Sequence, residues 1–410
     1  MPVFAYVAKD QAGKIHRGRI EAPNEKMLQK RLTDQGFWVQ SVVDEGANKK
    51  KKKFNPMQAM QKVKMTHISI FCRQFATMIN AGVSLVRCLS VLEKQSTNNK
   101  LKEIIRDVQN RVEAGETLSR AMSHHPTVFS NLTLGLVRAG EVGGVLDETL
   151  DRLAQFMESD IRMRAKIKAA MTYPVLVGVI AIVIVTFLVT FIVPKFMDMF
   201  KDFKIEMPAI TLFLVSISNF MTNPRSMVPL IGGIVLARFA FKRFKATKYG
   251  KRVIDKYKMK APVFGKLSHN IAVERFCRTL STLLTSGVPI LQALETVSSA
   301  IDNEIFTEAI MNARDRIREG DPIGDPLEKS KLFPAMVVQM IAIGEETGAL
   351  DQMLGKVADF YAQEVETQLE QLAATIEPLM IVGLGGMVGF IVIAMFMPMI
   401  ALINGLSGGE

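Results

Sequence analysis

A chain of 410 residues, 49% of them hydrophobic, is long enough for two or three domains and more apolar than most soluble proteins. Its formal charge is +11, but the basic residues cluster beside apolar runs, which argues for membrane headgroups and against nucleic acid as the partner. The three cysteines, Cys72, Cys88 and Cys277, lack CxxC spacing; this argues against a disulfide framework or a zinc site and reads as reduced, buried thiols in a cytoplasmic setting.

The chain begins "MPVFAYVAKD", without the basic start and apolar stretch of a signal peptide. Residues 1–47 read as a small α/β segment: "VFAYVA" and "KIHRGRIEA" as strands, a helix capped by Asn24 and ended by Gly36, then "FWVQSVV" as a returning strand. So small a core is marginal alone, so the segment is expected to dock on something. Residues 48–65 form a lysine-rich linker with Lys49 to Lys53 in a row, either a solvated tether or an attractor of anionic lipid or an acidic partner.

Residues 66–172 read as an antiparallel helical bundle. Ile68, Phe71, Cys72, Phe75, Met78 and Ile79 fall on one stripe of a helix, and breaks at "NAGVS", "STNN", "EAGET", "HHPTVFS" and "GEVGG" divide the segment into about six helices. An uncharged run at residues 175–193 then predicts a first membrane span within 173–194, with Pro174 at its start, where the helix is expected to kink. The next apolar stretch, 207–241, is broken by Asn223-Pro224-Arg225 and contains Arg238. It supports either one crossing at 226–244 with Arg238 snorkelling, or a segment lying in the interface. The strongly basic flank from Lys242 to Lys260 belongs on the cytoplasmic side by the positive-inside rule.

A second bundle at 266–376 repeats the first. Phe71-Cys72-Arg73 aligns with Phe276-Cys277-Arg278, Gly140-Glu141 with Gly344-Glu345, Pro174 with Pro378 and Pro194 with Pro398, at offsets of 205 and then 204. The core stripe returns as Val273, Phe276, Cys277, Leu280, Leu283 and Leu284. One departure is "GDPIGDPL", opposite "GETLSRAM", where Pro322 and Pro326 are expected to shorten or break the helix. A last span follows at 377–403, with a tail at 404–410. Two copies of one charged bundle belong in one compartment, yet the first ends by crossing the membrane. An odd number of crossings must return the chain, which favours a span at 226–244, a short periplasmic segment at 195–225 and a periplasmic tail.

Chemistry is scarce along this chain. There is no GxxxxGK[ST] phosphate loop, and the histidines show no metal spacing, so no catalytic group, metal or cofactor is expected. "GLGGMVG" at 383–389 reads as a helix-packing face through Gly385 and Gly389. The most regular repeated phrase holds Gly140, Glu141, Gly144, Leu146 and Asp147, and again Gly344, Glu345, Gly348, Leu350 and Asp351. Its acids admit two readings: ligands for a cation or partner, or caps on the long helix that follows a glycine turn.

The duplicated pattern "FCRQFATMINAGVSL", "GETLSRAM", P-x-x-F and GE-x-x-G-x-L-x-x-x-L, each copy closing with a proline and a span, resembles the bacterial type II secretion F / PilC family over residues 66 to 400. The resemblance implies an all-α polytopic membrane protein with two homologous cytoplasmic bundles and three transmembrane helices. It also implies a non-enzymatic inner-membrane platform coupling hexameric cytoplasmic assembly and retraction ATPases to pilin subunits. Other inner-membrane pilus assembly proteins and further copies of the chain are implied as partners, with the N-terminus cytoplasmic and the C-terminus periplasmic. A type II secretion platform is the alternative within the family. An oligomeric transporter is the rival from another class, disfavoured by the scarcity of polar residues in the spans.

Overall fold

The computed structural model describes residues 3–9, 15–21, 33, 38–44, 62–201, 207–262 and 264–407. Two compact units divide the chain: Met1–Val63 with Thr97–Glu103, and Lys64–Ser96 with Ile104–Glu410. In the first, β1 (Val3–Lys9), β2 (Ile15–Glu21) and β3 (Trp38–Asp44) form an antiparallel sheet of order β2-β1-β3, with Tyr6 opposite both Gly18 and Val42. The helix expected from Asn24 and the run Lys49 to Lys53 lie outside the described residues.

The second unit is helical among its described residues. The first repeat comprises α1 (Met65–Asn80), α2 (Leu85–Gln95), α3 (Asn99–Glu113, whose residues up to Glu103 belong to the first unit), α4 (Leu118–Ser123), α5 (Asn131–Gly143) and the 42-residue α6 (Leu146–Phe187). A π-helical turn at Leu188–Ile192 continues α6 into α7 (Val193–Lys201). Then come α8 (Ala209–Thr222), α9 (Pro224–Ala246) and α10 (Lys248–Lys260). The second repeat follows as α11 (Phe264–Thr285), α12 (Ile290–Ala300), α13 (Glu304–Arg318), α14 (Gly324–Lys329), α15 (Ala335–Thr347) and the 58-residue α16 (Leu350–Ser407).

The stripe predicted for α1 buries Ile68, Phe71, Cys72 and Phe75, while Met78 and Ile79 are half-buried towards its end. Its counterpart in α11 buries Val273, Phe276, Cys277, Leu280 and Leu283. The repeat also conserves an aromatic contact: Phe71 meets Phe129 at 6.1 Å between ring centroids, and Phe276 meets Phe333 at 4.7 Å. Burying each such ring contributes roughly 1.5–3 kcal/mol, which is why these positions hold the bundles together.

α6 and α16 run side by side in the same direction. Lys166 pairs with Glu366 at 2.6 Å, and Met163, Ile167, Ala170 and Met171 pack on Val365, Leu369 and Leu372. Further along both chains, Val189 and Val193 share an apolar cluster with Ile391 and Ala394. Contacts that advance together along both sequences are those of parallel helices.

Among the described residues, α6 with its continuation and α16 are the two helices long and apolar enough to cross a bilayer. α9 has 23 residues, about 34 Å of helix, and none of them is buried. The interval 195–225, expected as a short external connection, contains α8, an apolar helix whose Leu214 joins the cluster of Val189, Val193, Ile391 and Ala394. The Asn223-Pro224 break is a capped helix start, with the Asn223 side chain accepting from the Arg225 N–H at 3.0 Å.

The prolines of the second repeat do not shorten its small helix. α4 and α14 both have six residues. Pro326 falls in the first turn of α14, where a backbone N–H has no helical acceptor anyway, and Pro322 lies before it.

Candidate functional site

The repeated glycine-acid phrase builds the same turn in both bundles. α5 ends at a left-handed Gly144 (φ 70°) and α15 at a left-handed Gly348 (φ 69°), a backbone region that glycine enters without steric cost. The chain reverses so tightly that a β-carbon on Gly140 would lie 2.0 Å from Thr149 Oγ1, and one on Gly344 would lie 2.7 Å from the Leu350 α-carbon. Leu146 and Leu350, both half-buried, open the long helices, and Asp147 and Asp351 stand in their first turns near the positive end of the helix dipole.

Glu141 and Glu345 do not cap those long helices. The Glu141 carboxylate turns back to α4 and accepts the N–H groups of Leu118 and Ser119, the latter at 3.0 Å. Glu345 accepts the Ile323 N–H through both oxygens, at 2.9 and 3.2 Å. The first N–H groups of a helix have no internal acceptor, and a carboxylate satisfies them while opposing the dipole. Each acid thus ties the end of one helix to the start of a short helix about 22 residues earlier. Thr117 adds a cap on Arg120 N at 3.3 Å in α4, whereas Pro322 stands at the corresponding place before α14.

The arginine of the repeated FCR pattern has a role that periodicity did not reveal. Arg73 holds α1 to α6 by pairing with Asp151 at 2.5 Å and Glu158 at 2.6 Å. Gly355 and Ala362 occupy the matching places in α16, and Arg278 turns instead to Asp359 at 2.8 Å and Glu274 at 3.2 Å. The two partners titrate in opposite directions. The Arg73 hydrogen bond holds Glu158 below the usual carboxylate range, while burial pushes Glu274 up despite Arg278 beside it. Arg278 also lines a polar cleft of about 410 Å³ between the repeats, with Arg152, Arg162, Ser281 and Thr285.

All three cysteines are buried; burial pushes the Cys72 thiol up to about 12 and raises Cys277 as well, which keeps both protonated. Among the described residues, no three His, Cys, Asp or Glu side chains converge as a metal site would require.

The spans carry the remaining predicted residues. Pro174 and Pro378 lie inside the continuous helices α6 and α16, neither of which stops at its proline. Gly385 and Gly389 have no atom within 4 Å of where a β-carbon would sit, so among the described residues no helix closes on that face.

Two hydroxyls not anticipated from the sequence complete the arrangement. Pro398 has no N–H for the carbonyl of Ala394, and that oxygen accepts from Thr211 Oγ1 at 2.6 Å. In the π turn, Val193 N–H bonds Leu188, and Pro194 has no N–H, so the Val189 carbonyl accepts from Ser218 Oγ at 2.7 Å. One helix, α8, therefore satisfies both carbonyls freed by the repeated prolines. The readable signal was two hydroxyls seven residues apart on an apolar helix, with a proline closing each span.

Comparison with known proteins follows the same divisions. The profile of type II secretion system (T2SS) protein F matches residues 71–194 and again 276–398, and that of the type II secretion system protein F N-terminal domain matches residues 1–43. The chain belongs to the type II secretion F family. In this member, each F segment opens at the phenylalanine of the FCR pattern and closes at or next to a proline whose missing N–H α8 answers. A type IV pilus assembly protein PilC from Thermus thermophilus is 42% identical over 99% of this chain and 100% of its own length. A PilC from Myxococcus xanthus is 38% identical over 97% and 94%. A type II secretion system protein F from Vibrio cholerae is 32% identical over 99% and 100%.

Proposed function

We propose that this F-family chain is the inner-membrane platform of a type IV pilus assembly machine, passing motion from cytoplasmic assembly and retraction ATPases to pilin subunits in the bilayer. The observation that carries the proposal is the continuity of α6 and α16. Each starts in a bundle turn and runs without a break into an apolar span, so displacement of a bundle reaches the membrane along one rigid element. The pilus is favoured over secretion because the two PilC relatives, at 42% and 38% identity, stand nearer than the secretion relative at 32%.

Both bundles lie in the cytoplasm and the chain crosses three times in this reading, with α9 as the returning span and the C-terminus periplasmic. The parallel course of α6 and α16 supports it, as does the lack of any buried residue on α9. The platform has no catalysis of its own and contacts other inner-membrane pilus assembly proteins. It works as a dimer or larger assembly, for which the open Gly385 and Gly389 face would permit close approach of another copy.

Deleting the gene and restoring it on a plasmid tests the function. Surface pili and twitching motility are expected to disappear and return, while secretion of folded exoproteins stays unchanged. Normal piliation in the deletion strain would rule the proposal out.

A further inference from the structure

We propose that a cavity where α6 passes from its bundle into the first span binds one anionic phospholipid. The cavity measures about 830 Å³ and has two unlike walls. Val175, Leu176 and Val179 form the apolar wall and are 58, 56 and 53% exposed. Arg164, Lys168 and Arg275 form the other. Arg164, Lys168, Val175 and Val179 share one helix face by their spacing, and the rise from Lys168 to Val179 along the helix is about 16 Å. That is close to the depth of one hydrocarbon leaflet, about 15 Å. An acyl chain therefore fits below and a headgroup above.

Charge selects the headgroup. Asp160 is shared between Arg164 at 2.9 Å and Arg275 at 3.3 Å, and Asp302, also on the wall, is paired with Lys251 at 3.3 Å. Lys251 also reaches Glu304 at 3.8 Å, so four cations face three carboxylates, and the excess of one positive charge matches the single negative charge of a phosphodiester lacking a compensating amine. A soluble phosphate would leave the apolar wall uncovered, and a zwitterionic lipid would bring its own cation to a site already rich in them. The inference rests on α6 crossing the bilayer, which alkaline carbonate washing tests separately: release of the chain into the supernatant would remove that premise, whatever lipid binding shows.

The test uses the full chain in detergent, offered phosphatidylglycerol and phosphatidylcholine in equal amounts, with retained lipid read by native mass spectrometry. Preferential retention of one phosphatidylglycerol per chain is expected, reduced about fivefold in Lys168→Gln, the effect of one interfacial cation. Equal retention of the two lipids by the unaltered chain would overturn the proposal, as would displacement of phosphatidylglycerol by millimolar inorganic phosphate. A photo-reactive amino acid in place of Leu176 gives a readout in native membranes that does not depend on altering a charge. Labelling of phospholipid supports the site; labelling of a protein helix instead would assign the groove to a different occupant and sink it.

Discussion

Glu141 and Glu345 occupy equivalent places yet carry unequal burdens. Glu141 supplements a start that Thr117 already caps, whereas Glu345 serves a helix preceded by Pro322, which offers no side-chain acceptor. A charged hydrogen bond to a helix start is worth about 1.5–3 kcal/mol when nothing replaces it, and less when a second cap remains. Glu345→Ala is therefore expected to cost about 2 kcal/mol locally and Glu141→Ala about 1 kcal/mol. Peptide-resolved hydrogen exchange reads this directly: amides of Gly324–Lys329 should exchange on the order of 30-fold faster in the first variant, and those of Leu118–Ser123 on the order of fivefold faster in the second. Equal effects, or a larger one from Glu141, would show that Thr117 contributes nothing. The sequence displayed these acids through their repetition, but it could not show where they point. Which N–H groups they accept depends on how one helix packs against another about 22 residues upstream, which no local pattern encodes.

At the scale of elements, the helices of the bundles were legible because a 3.6-residue apolar stripe and glycine or proline breaks are local signals. The apolar stretch from 207 to 241 was not, because composition alone does not separate one span from a short intramembrane helix followed by another. Composition also carries no tertiary bonding: Thr211 ties α8 to α16, and Ser218 ties it to the π turn that continues α6. If Thr211 is there to satisfy the carbonyl freed by Pro398, the two residues must be coupled. Thr211→Val should destabilise the purified protein by about 1 kcal/mol, within the range of hydrogen bonds between helices in membranes. In a Pro398→Ala background, residue 398 supplies its own N–H to Ala394, and the same Thr211→Val change should cost close to nothing. Thermal unfolding of the four proteins closes the cycle. Additive effects would mean that Thr211 acts through packing alone.

At the scale of the molecule, the direction of two helices constrains the path of the rest. α6 and α16 meet at Lys166 and Glu366, within the cluster that gathers Met163 to Met171 with Val365 to Leu372, and again through the cluster of Val189 and Ala394, so they run the same way. Two parallel helices that both cross a bilayer start from the same side, and the chain joining them must return by an odd number of crossings. α8, at 14 residues and about 21 Å, falls short of the roughly 30 Å hydrocarbon core, whereas α9, at 23 residues and about 34 Å, does not. Arg238 lies near the basic end of α9, where Arg243, Lys245 and the lysines of α10 follow, so its guanidinium can reach the headgroups on that side. Single cysteines at Lys195, Lys256 and Glu346, in a background with Cys72, Cys88 and Cys277 replaced by alanine, test the path in intact cells with a membrane-impermeant maleimide. Lys195→Cys should label from outside. Lys256→Cys and Glu346→Cys should label only after the inner membrane is opened. External labelling at Lys256 with internal labelling at Glu346 would place the return crossing after α10. External labelling at both would mean that the second bundle lies opposite the first, which parallel spans do not allow.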